Sequence, residues 1–302
     1  MFTQNSDIAL SSLVITKFKA YFQLLKLRLS LLVAFSAGVG YWLAPRSGEI
    51  NWANCLLFLL AGVMVTGASN TLNQIIERYS DRLMKRTMNR PLPTGVLSVF
   101  EASVFAGALA IGGIFIMLQY FTFHAALISF VSMLLYAFAY TPMKTRHPIA
   151  VFIGAIPGAL PPMIGWLAVT NQYGLEPGIL FAIQFVWQFP HFWAIAWVLD
   201  EDYQKAGIKL LPGNGAQDLR TAFNIMIYTL MLIPLGFVPY FLGMTGITSA
   251  FVALICGVLF LIQTLYLMRD CSRKAALMIM FGSFIYLPIV QIAFVLDKVV
   301  VN

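Results

Sequence analysis

The chain has 302 residues, of which 60% are hydrophobic and 10% are charged, and its formal net charge is +7. Soluble domains contain about 45–50% apolar residues, so this composition excludes an ordinary soluble protein. Its long apolar runs predict an all-α integral membrane protein. The positive charge lies in short loops and forms no basic domain, which argues against nucleic acid as a partner and fits the orientation of membrane helices.

The sequence predicts a single membrane domain over 1–302, because no linker or low-complexity segment interrupts it. Within it we expect a cytoplasmic arm at 1–20, without a cleavable signal peptide, and two cytoplasmic functional loops at 77–100 and 200–221. The three cysteines are far apart and favour neither a disulfide framework nor a thiolate metal site.

The apolar runs predict about nine transmembrane helices around a central cavity, preceded by an amphipathic segment near 10–22. The predicted helices are Leu24–Leu43, Ala53–Ile76, Ala102–Leu118, Ala125–Ala139, Ile149–Val169, Leu180–Leu199, Ala222–Phe241, Thr248–Met268 and Ala275–Leu296. If the chain begins in the cytoplasm, all but two of its 19 lysines and arginines lie on the cytoplasmic side. The exceptions are Arg46 and Lys298, so the positive-inside rule supports this orientation strongly.

The end of the second predicted helix carries a ladder of oxygen-bearing side chains. Asn73, Glu77 and Asp81 are spaced four residues apart and would share one face of a helix. Two carboxylates one turn apart repel each other unless a cation lies between them. Such oxygen ligands suit Mg²⁺ shared with substrate phosphate. Basic residues interleaved with the ladder suit the rest of a phosphate group: Arg78, Arg82, Lys85, Arg86 and Arg90.

A second interpretation remains open for the basic residues. They could simply form a juxtamembrane loop that obeys the positive-inside rule, although such a loop has no need of aligned acids. The same alternative applies to Lys144 in the segment YTPMKTRHP, which could either contact a diphosphate or only orient the protein.

The sixth predicted helix carries a polar stripe. Gln184, Gln188 and His191 share one face, and Asp202 would continue that face if the helix ran on. Polar side chains in a bilayer usually face a cavity or a partner. Asp202 therefore predicts a second phosphate–metal site by analogy with Asp81. The alternative for the glutamines and the histidine is hydrogen bonding between packed helices.

Four segments of the chain resemble the UbiA superfamily of intramembrane prenyltransferases, over roughly residues 20–295. They are the N-x-x-x-E-x-x-x-D ladder followed by MKRTMNRPLPTG, then YTPMKTRHP, GAIPGALPPMIGW and WQFPHFWAIAWVLDEDYQKAGIKLLP. The superfamily shares the acid ladder. The RT-x-NRPL segment, and Q-F-P-H-F-W followed by DY-x-x-AG, resemble its haem branch rather than its quinone branch.

The resemblance implies a UbiA-like fold in a bacterial cytoplasmic (inner) membrane, with the N-terminus and both acid-rich loops in the cytoplasm. It implies four residues that are both catalytic and metal-binding: Asn73, Glu77, Asp81 and Asp202. It also implies diphosphate contacts at Arg78, Arg86, Arg90 and Lys144, and a haem or cavity surface at Gln184, Gln188 and His191. Glu77 stands where the wider pattern often has Asp.

The implied reaction transfers a farnesyl group from farnesyl diphosphate to a vinyl group of haem B, with addition of water, and gives haem O and diphosphate. Mg²⁺ is the implied cofactor, haem B is a substrate, and the bilayer and membrane enzymes of the haem pathway are the implied partners. One alternative is a prenyltransferase for a quinone precursor or another aromatic acceptor. Another is a transporter or haem-handling protein without chemistry, which the concentration of ionisable groups at one face disfavours.

Overall fold

The computed structural model describes residues 2–46, 48, 51–213 and 215–299, with side chains from Val14 onward. Parts of three predicted regions lie outside these residues: residue 1 and the side chains of 2–13 in the arm, residue 214 in the second loop, and 300–302 at the end of the domain. The described chain forms twelve α-helices. They are α1 (Phe2–Leu25), α2 (Leu27–Leu43), α3 (Trp52–Glu77), α4 (Val99–Tyr120), α5 (Phe123–Leu134), α6 (Thr141–Met143), α7 (Ala150–Thr170), α8 (Leu175–Val198), α9 (Asp200–Lys205), α10 (Leu219–Phe241), α11 (Ile247–Asp270) and α12 (Arg273–Leu296).

The described residues contain eight helices that are long and apolar enough to cross a membrane, and a ninth span if α1 and α2 act as one bent pair. The predicted helical membrane architecture is therefore confirmed, with ends that differ by a few residues. The fourth predicted helix is longer than expected, because α5 continues through the π-helical turn Leu135–Tyr140 into α6. Apolar side chains face outward along the bundle, as at Phe100 and Ile111, where lipid replaces water as the solvent.

The first predicted helix is broken by a bend of 40° between α1 and α2. Lys26 lies at this bend in the left-handed backbone region, with φ 46° and ψ 54°. The bend leaves the last carbonyl groups of α1 without helical partners. Side chains take over: Gln74 Nε2 donates to Leu24 O at 2.9 Å and Ser30 Oγ donates to Leu25 O at 2.7 Å.

Helices α2 and α7 touch through their backbones at two glycines. A Cβ added at Gly40 would lie 1.8 Å from Pro162 O, and one added at Gly165 would lie 1.8 Å from Ala37 O. Small residues at such positions allow membrane helices to pack closely. The largest buried cluster lies beside this contact and joins α7 and α8 to α10, α11 and α12 through rings such as Phe189 and Phe260.

The two basic residues predicted to lie outside the cytoplasm both cap the end of α2. Lys298 Nζ donates to Trp42 O and Ala44 O, each at 2.8 Å. Arg46 donates to Tyr41 O. The terminal carbonyl groups of a helix carry partial negative charge, so a cation there is stabilising.

Candidate active site

A cavity of about 320 Å³ lies at the end of the bundle that carries the two acid-rich loops. Six of the predicted site residues line it: Asn73, Glu77, Asp81, Arg86, Arg90 and Lys144. Residues from several other parts of the chain complete the lining: Lys26, Leu29, Met84, Tyr136, Tyr140, Tyr203, Ile208 and Leu210. Its size falls at the lower end for ligand pockets in proteins, so it suits a compact polar group with part of a tail.

The oxygen ladder forms, although not on one continuous helix as the spacing predicted. Helix α3 ends at Glu77, and Asp81 lies in the 3₁₀ turn Ser80–Leu83. The helix ends there because Ser80 Oγ donates to Glu77 O at 3.0 Å and Arg78 Nη1 donates to Ile75 O at 2.8 Å, which satisfies terminal carbonyl groups. Asp81 still returns to the cavity, and its side chain is fully buried.

Each rung of the ladder has one cation beside its oxygen. Lys26 Nζ lies 3.2 Å from Asn73 Oδ1. Lys144 Nζ lies 2.8 Å from Glu77 Oε1, and Arg90 Nη1 lies 2.7 Å from Asp81 Oδ2. These pairs are nearly shielded from solvent, so their charges interact more strongly than they would at a surface.

The amide of Asn73 has a defined orientation. Its Nδ2 donates to Thr141 Oγ1 at 3.1 Å, and the Thr141 hydroxyl donates onward to Tyr136 O at 2.8 Å. The π-helical turn Leu135–Tyr140 provides that carbonyl, and such turns are frequent at functional sites. Asn73 Oδ1 is therefore the amide atom directed toward Lys26.

Aromatic rings form one wall of the cavity. Tyr136 and Tyr140 have ring centroids 5.4 Å apart, and Lys144 Nζ lies 4.6 Å from the centroid of Tyr140. Burial opposes charge on Lys144, but Tyr140 and the Glu77 carboxylate outweigh it and raise the pKa of Lys144. Burial also raises the pKa of Tyr203, although the nearby Arg86 opposes this shift. Lys144 is thus a cation and Tyr203 a neutral hydrogen-bond donor at neutral pH.

The ladder fits a Mg²⁺ ion that is shared with a phosphate ligand. Asp81 Oδ1 is buried and has no hydrogen-bond partner among the described residues, so it is an acceptor that still needs a cation or a donor. Among the described residues, no group of three His, Cys, Asp or Glu side chains could hold a metal ion. An ion at Glu77 and Asp81 would therefore rely on the Asn73 amide oxygen and on ligand oxygens, as Mg²⁺ commonly does.

Asp202 does not continue the polar face of the sixth predicted helix. Helix α8 ends at Val198, and a new short helix, α9, begins at Asp200. The Asp202 carboxylate pairs with Lys205 at 3.3 Å. Of the second loop, Tyr203, Ile208 and Leu210 line the cavity. The loop is anchored there because Lys209 N donates to Lys144 O at 2.7 Å.

Arg78 also lies apart from the other predicted diphosphate contacts. Its guanidinium group bonds the carbonyl of Ile75 and lies 4.3 Å from the ring centroid of Tyr79, which is exposed. The position of Arg78 between Glu77 and Asp81 in the sequence predicted a role in the cavity. Adjacent residues of a helix point in different directions, so Arg78 lies off the helix face that carries Asn73 and Glu77.

The glutamines of the polar stripe lie between packed helices. Gln184 Oε1 accepts from Ser36 Oγ at 2.6 Å and from Gln291 Nε2 at 2.9 Å, while its Nε2 donates to Gly158 O at 2.7 Å. Gln188 is buried next to Gly158. These contacts join α2, α7, α8 and α12, as the helix-packing interpretation predicted.

His191 faces α12 rather than the ladder. Its Nδ1 lies 2.9 Å from Ser283 Oγ, and that hydroxyl gives its proton to Met280 O at 2.6 Å. Nδ1 is therefore the donor to Ser283, which makes Nε2 the acceptor nitrogen of the ring. The ring stacks on Trp187 with centroids 4.4 Å apart.

Comparison with known proteins agrees with this geometry. Residues 32–286 match the model of the UbiA prenyltransferase family. The chain belongs to the UbiA prenyltransferase family. It is 61% identical to a protein of Cytophaga hutchinsonii named protoheme IX farnesyltransferase, over 94% of this chain and 99% of that protein. This relative agrees with the haem branch that the motifs predicted, and family membership makes the chain a prenyltransferase rather than a transporter.

Solved structures of other proteins share the fold. One, described as digeranylgeranylglyceryl phosphate synthase in membranes, superposes with a TM-score of 0.77 at 22% identity and covers 93% of this chain and 98% of its own. A UbiA homologue from Archaeoglobus fulgidus, bound to GPP and Mg²⁺, gives a TM-score of 0.61 at 17% identity, with 91% and 99% covered. The predicted UbiA-like fold is confirmed.

Several residues of this UbiA site were not predicted from the sequence. Neither Lys26, which is one of the many basic residues on the cytoplasmic side, nor Tyr203 is singled out by the sequence analysis, yet both line the cavity. Thr141 orients the first rung across 68 positions of sequence. The αL backbone at Lys26 gives no sequence signal, because the residue is neither Gly nor Asn.

Proposed function

We propose that this protein transfers the farnesyl group of farnesyl diphosphate to a vinyl group of haem B. The bond between farnesyl C1 and the diphosphate oxygen breaks, and a bond from C1 to the vinyl carbon forms. Water adds to the other vinyl carbon and releases a proton, which gives haem O. The observation that carries the proposal is the convergence of Asn73, Glu77 and Asp81 with three cations in one cavity.

The polar half of the cavity would bind the diphosphate. Asn73, Glu77 and Asp81 would hold Mg²⁺, which when bound neutralises negative charge on the leaving diphosphate. Arg86, Arg90 and Lys144 would bind oxygens of the diphosphate, and the Tyr203 hydroxyl would donate a further hydrogen bond. Binding of GPP and Mg²⁺ by the Archaeoglobus homologue supports the metal assignment. In this conformation Asp202 and Arg78 would take no direct part.

The aromatic wall would accept the reacting end of the prenyl chain. The faces of Tyr136 and Tyr140 offer negative electrostatic potential, which attracts an allylic cation. Because the cavity is lined by helices and covered by the second loop, it limits the access of bulk water to that cation.

The haem would lie on the side of α8 that carries His191. Its Nε2 has a free lone pair because Ser283 holds the proton on Nδ1, and a neutral imidazole of this kind is a common ligand of haem iron. Gln184 and Gln188 would act as packing residues beneath this surface.

The whole chain would act as one domain in a bacterial cytoplasmic membrane, with its cavity at the cytoplasmic end of the bundle. The distribution of all but two of the lysines and arginines supports this orientation. Membrane enzymes that make haem B or modify haem O are the expected partners, since both molecules are poorly soluble in water.

Purified protein with farnesyl diphosphate, Mg²⁺ and either haem B or 4-hydroxybenzoate tests the proposal. We expect haem O, identified by mass, and no prenylated benzoate. Asp81→Asn should abolish haem O formation, because it removes a buried charge from the metal site while leaving a side chain of similar shape. Prenylation of 4-hydroxybenzoate alone would identify a quinone-type enzyme, and near-normal haem O from folded Asp81→Asn would overturn the metal assignment.

A further inference from the structure

We infer that Lys26, at the bend between α1 and α2, is a diphosphate-binding residue that Asn70 and Gln74 hold in position. The inference deepens the proposed function and rests on diphosphate binding in this cavity. It makes the bend part of the active site, although none of the motifs of the acid-rich loops includes it.

The charge balance of the cavity calls for an anion near Lys26. Two carboxylates, Glu77 and Asp81, line the cavity together with four basic side chains: Lys26, Arg86, Arg90 and Lys144. Glu77 and Asp81 already pair with Lys144 and Arg90. Lys26 Nζ instead donates to the uncharged amide oxygen of Asn73, at 3.2 Å. A basic group beside an uncharged acceptor gains most from an arriving anion.

The backbone of Lys26 is held in a conformation that lysine rarely adopts. Its φ of 46° and ψ of 54° lie in the left-handed region. Such strain persists only where the surroundings enforce it, and it is concentrated at functional sites. A lysine needed only to orient the protein in the membrane could sit in ordinary helix, as the exposed Lys19 does one to two turns earlier.

Buried side chains of α3 enforce the bend. Asn70 Nδ2 donates to Leu25 O at 3.3 Å and to Ser30 Oγ at 3.2 Å. Gln74 Nε2 donates to Leu24 O at 2.9 Å. Asn70, Gln74 and Ser30 are each 1% exposed or less. Their hydrogen bonds replace the helical partners that α1 loses at the bend.

The polar face of helix α3 therefore consists of two neighbouring stripes with different roles. Asn70 and Gln74, four residues apart, hold the bend, while Asn73 and Glu77, also four apart, face the cavity. Because both pairs belong to one rigid helix, the position of the Lys26 backbone is fixed relative to the ladder. Lys26 Nζ is thereby delivered to the first rung.

Calorimetry on the full chain in detergent tests the role of Lys26. The probe is farnesyl thiodiphosphate, an unreactive analogue, with Mn²⁺ as the metal. Lys26→Asn should weaken binding by about ten- to a hundredfold, the usual effect of losing a charge-assisted hydrogen bond. Asn tolerates the left-handed backbone, so the bend is retained. Lys26→Arg should keep most of the affinity, and Lys19→Asn is the matched control with wild-type affinity.

The same measurements distinguish a failure of the proposed diphosphate binding from a failure of the role given to Lys26. If the wild-type protein does not bind the analogue, diphosphate binding in this cavity is wrong and the inference falls with it. If the wild type binds and Lys26→Asn binds within about twofold of it, the role of Lys26 is wrong while the proposed function stands. Haem B binding, followed by absorbance, should be the same in all four proteins.

A double-mutant cycle tests the positioning role of Gln74. Gln74→Leu leaves Leu24 O without its partner and should weaken analogue binding, with haem binding unchanged. If Gln74 acts through Lys26, the double variant with Lys26→Asn should bind no more weakly than Lys26→Asn alone. Additive losses would show that Gln74 acts by another route and would overturn its assignment.

Discussion

At the scale of single residues, Thr141 determines which atom of Asn73 faces the cavity. An asparagine amide can present either oxygen or nitrogen, and only the oxygen can bind a cation. Thr141 accepts from Asn73 Nδ2 and uses its own proton on Tyr136 O, so its hydroxyl cannot donate to Asn73 as well. If the Asn73 amide were reversed, its oxygen would face Thr141 Oγ1 and receive no hydrogen bond from it. That loss would be costly because Asn73 and Thr141 are both buried.

Replacing Thr141 by valine tests this orientation. Valine has the same shape but no hydroxyl, so Thr141→Val removes the acceptor that Asn73 Nδ2 has in Thr141, at a cost of about 1–3 kcal/mol. We expect the concentration of Mg²⁺ that gives half-maximal activity to rise about tenfold, while the protein remains folded. Thr145→Val, at an exposed threonine nearby, is the control. An unchanged Mg²⁺ requirement in Thr141→Val would contradict the assigned role.

Sequence analysis found site residues that are related within one helix and missed those that reach the site through contacts between helices. Asn73 and Glu77 could be found because one helix fixes the relation between residues four apart. Lys26 and Thr141 meet Asn73 across 47 and 68 positions. Contacts of that kind depend on how helices pack, which a single sequence does not specify.

At the scale of helices, the contact of α2 with α7 sets the shape of the bundle next to the cavity. Gly40 and Gly165 lie directly against backbone of the other helix. Helix α7 also contains Pro157, Pro161 and Pro162, each of which removes a backbone donor. Such a helix is tolerated in a membrane when its neighbours pack against it closely.

Alanine at Gly165 should weaken this contact. The added Cβ would lie 1.8 Å from Ala37 O and 2.5 Å from Tyr41 N, so the two backbones must separate. We expect Gly165→Ala to lose at least about 2 kcal/mol of stability, measured as a lower midpoint of thermal unfolding in detergent. Gly107→Ala, where no atom lies within 4 Å of the added Cβ, should be neutral or stabilising. Equal midpoints for the two variants would refute the close-contact account.

The helix that was expected to carry Asp202 differs from the structure at this same scale, while the predicted role of Asp202 in the site stays a prediction. The expectation was that α8 runs on to Asp202, but the helix ends at Val198 and α9 starts with three acids in its first turn. Negative charge is favourable at the start of a helix and favours a new helix at that point. No Gly or Pro lies between α8 and α9, so the sequence gives no clear signal that the helix ends there.

At the scale of the whole molecule, the distribution of basic residues and the helix count agree. With α1 and α2 taken as one bent span, nine crossings place the two ends of the chain on opposite sides. Lys298 and Arg46 then both lie at the end of the bundle away from the cavity, where they donate hydrogen bonds to the terminal carbonyl groups of α2.

Cysteine labelling tests the proposed orientation. In a background without Cys55, Cys256 and Cys271, cysteine is introduced at Gln172 or Thr145, exposed residues at opposite ends of the bundle. A maleimide that cannot cross membranes should label Gln172→Cys in intact cells and Thr145→Cys only after lysis. The reverse pattern would place the cavity outside the cytoplasm and contradict the positive-inside argument.

The one-to-one pairing of ladder oxygens with cations has a consequence for the order of events in each catalytic cycle. A divalent ion could bind Asp81 Oδ1 directly, but it would have to draw Glu77 Oε1 and Asp81 Oδ2 away from Lys144 and Arg90, and those two cations would then need a new anion. Diphosphate would supply it, so we expect the metal and the prenyl donor to bind together. After transfer of the farnesyl group, the metal would leave with the released diphosphate, and the empty enzyme would have no need to hold magnesium between turnovers.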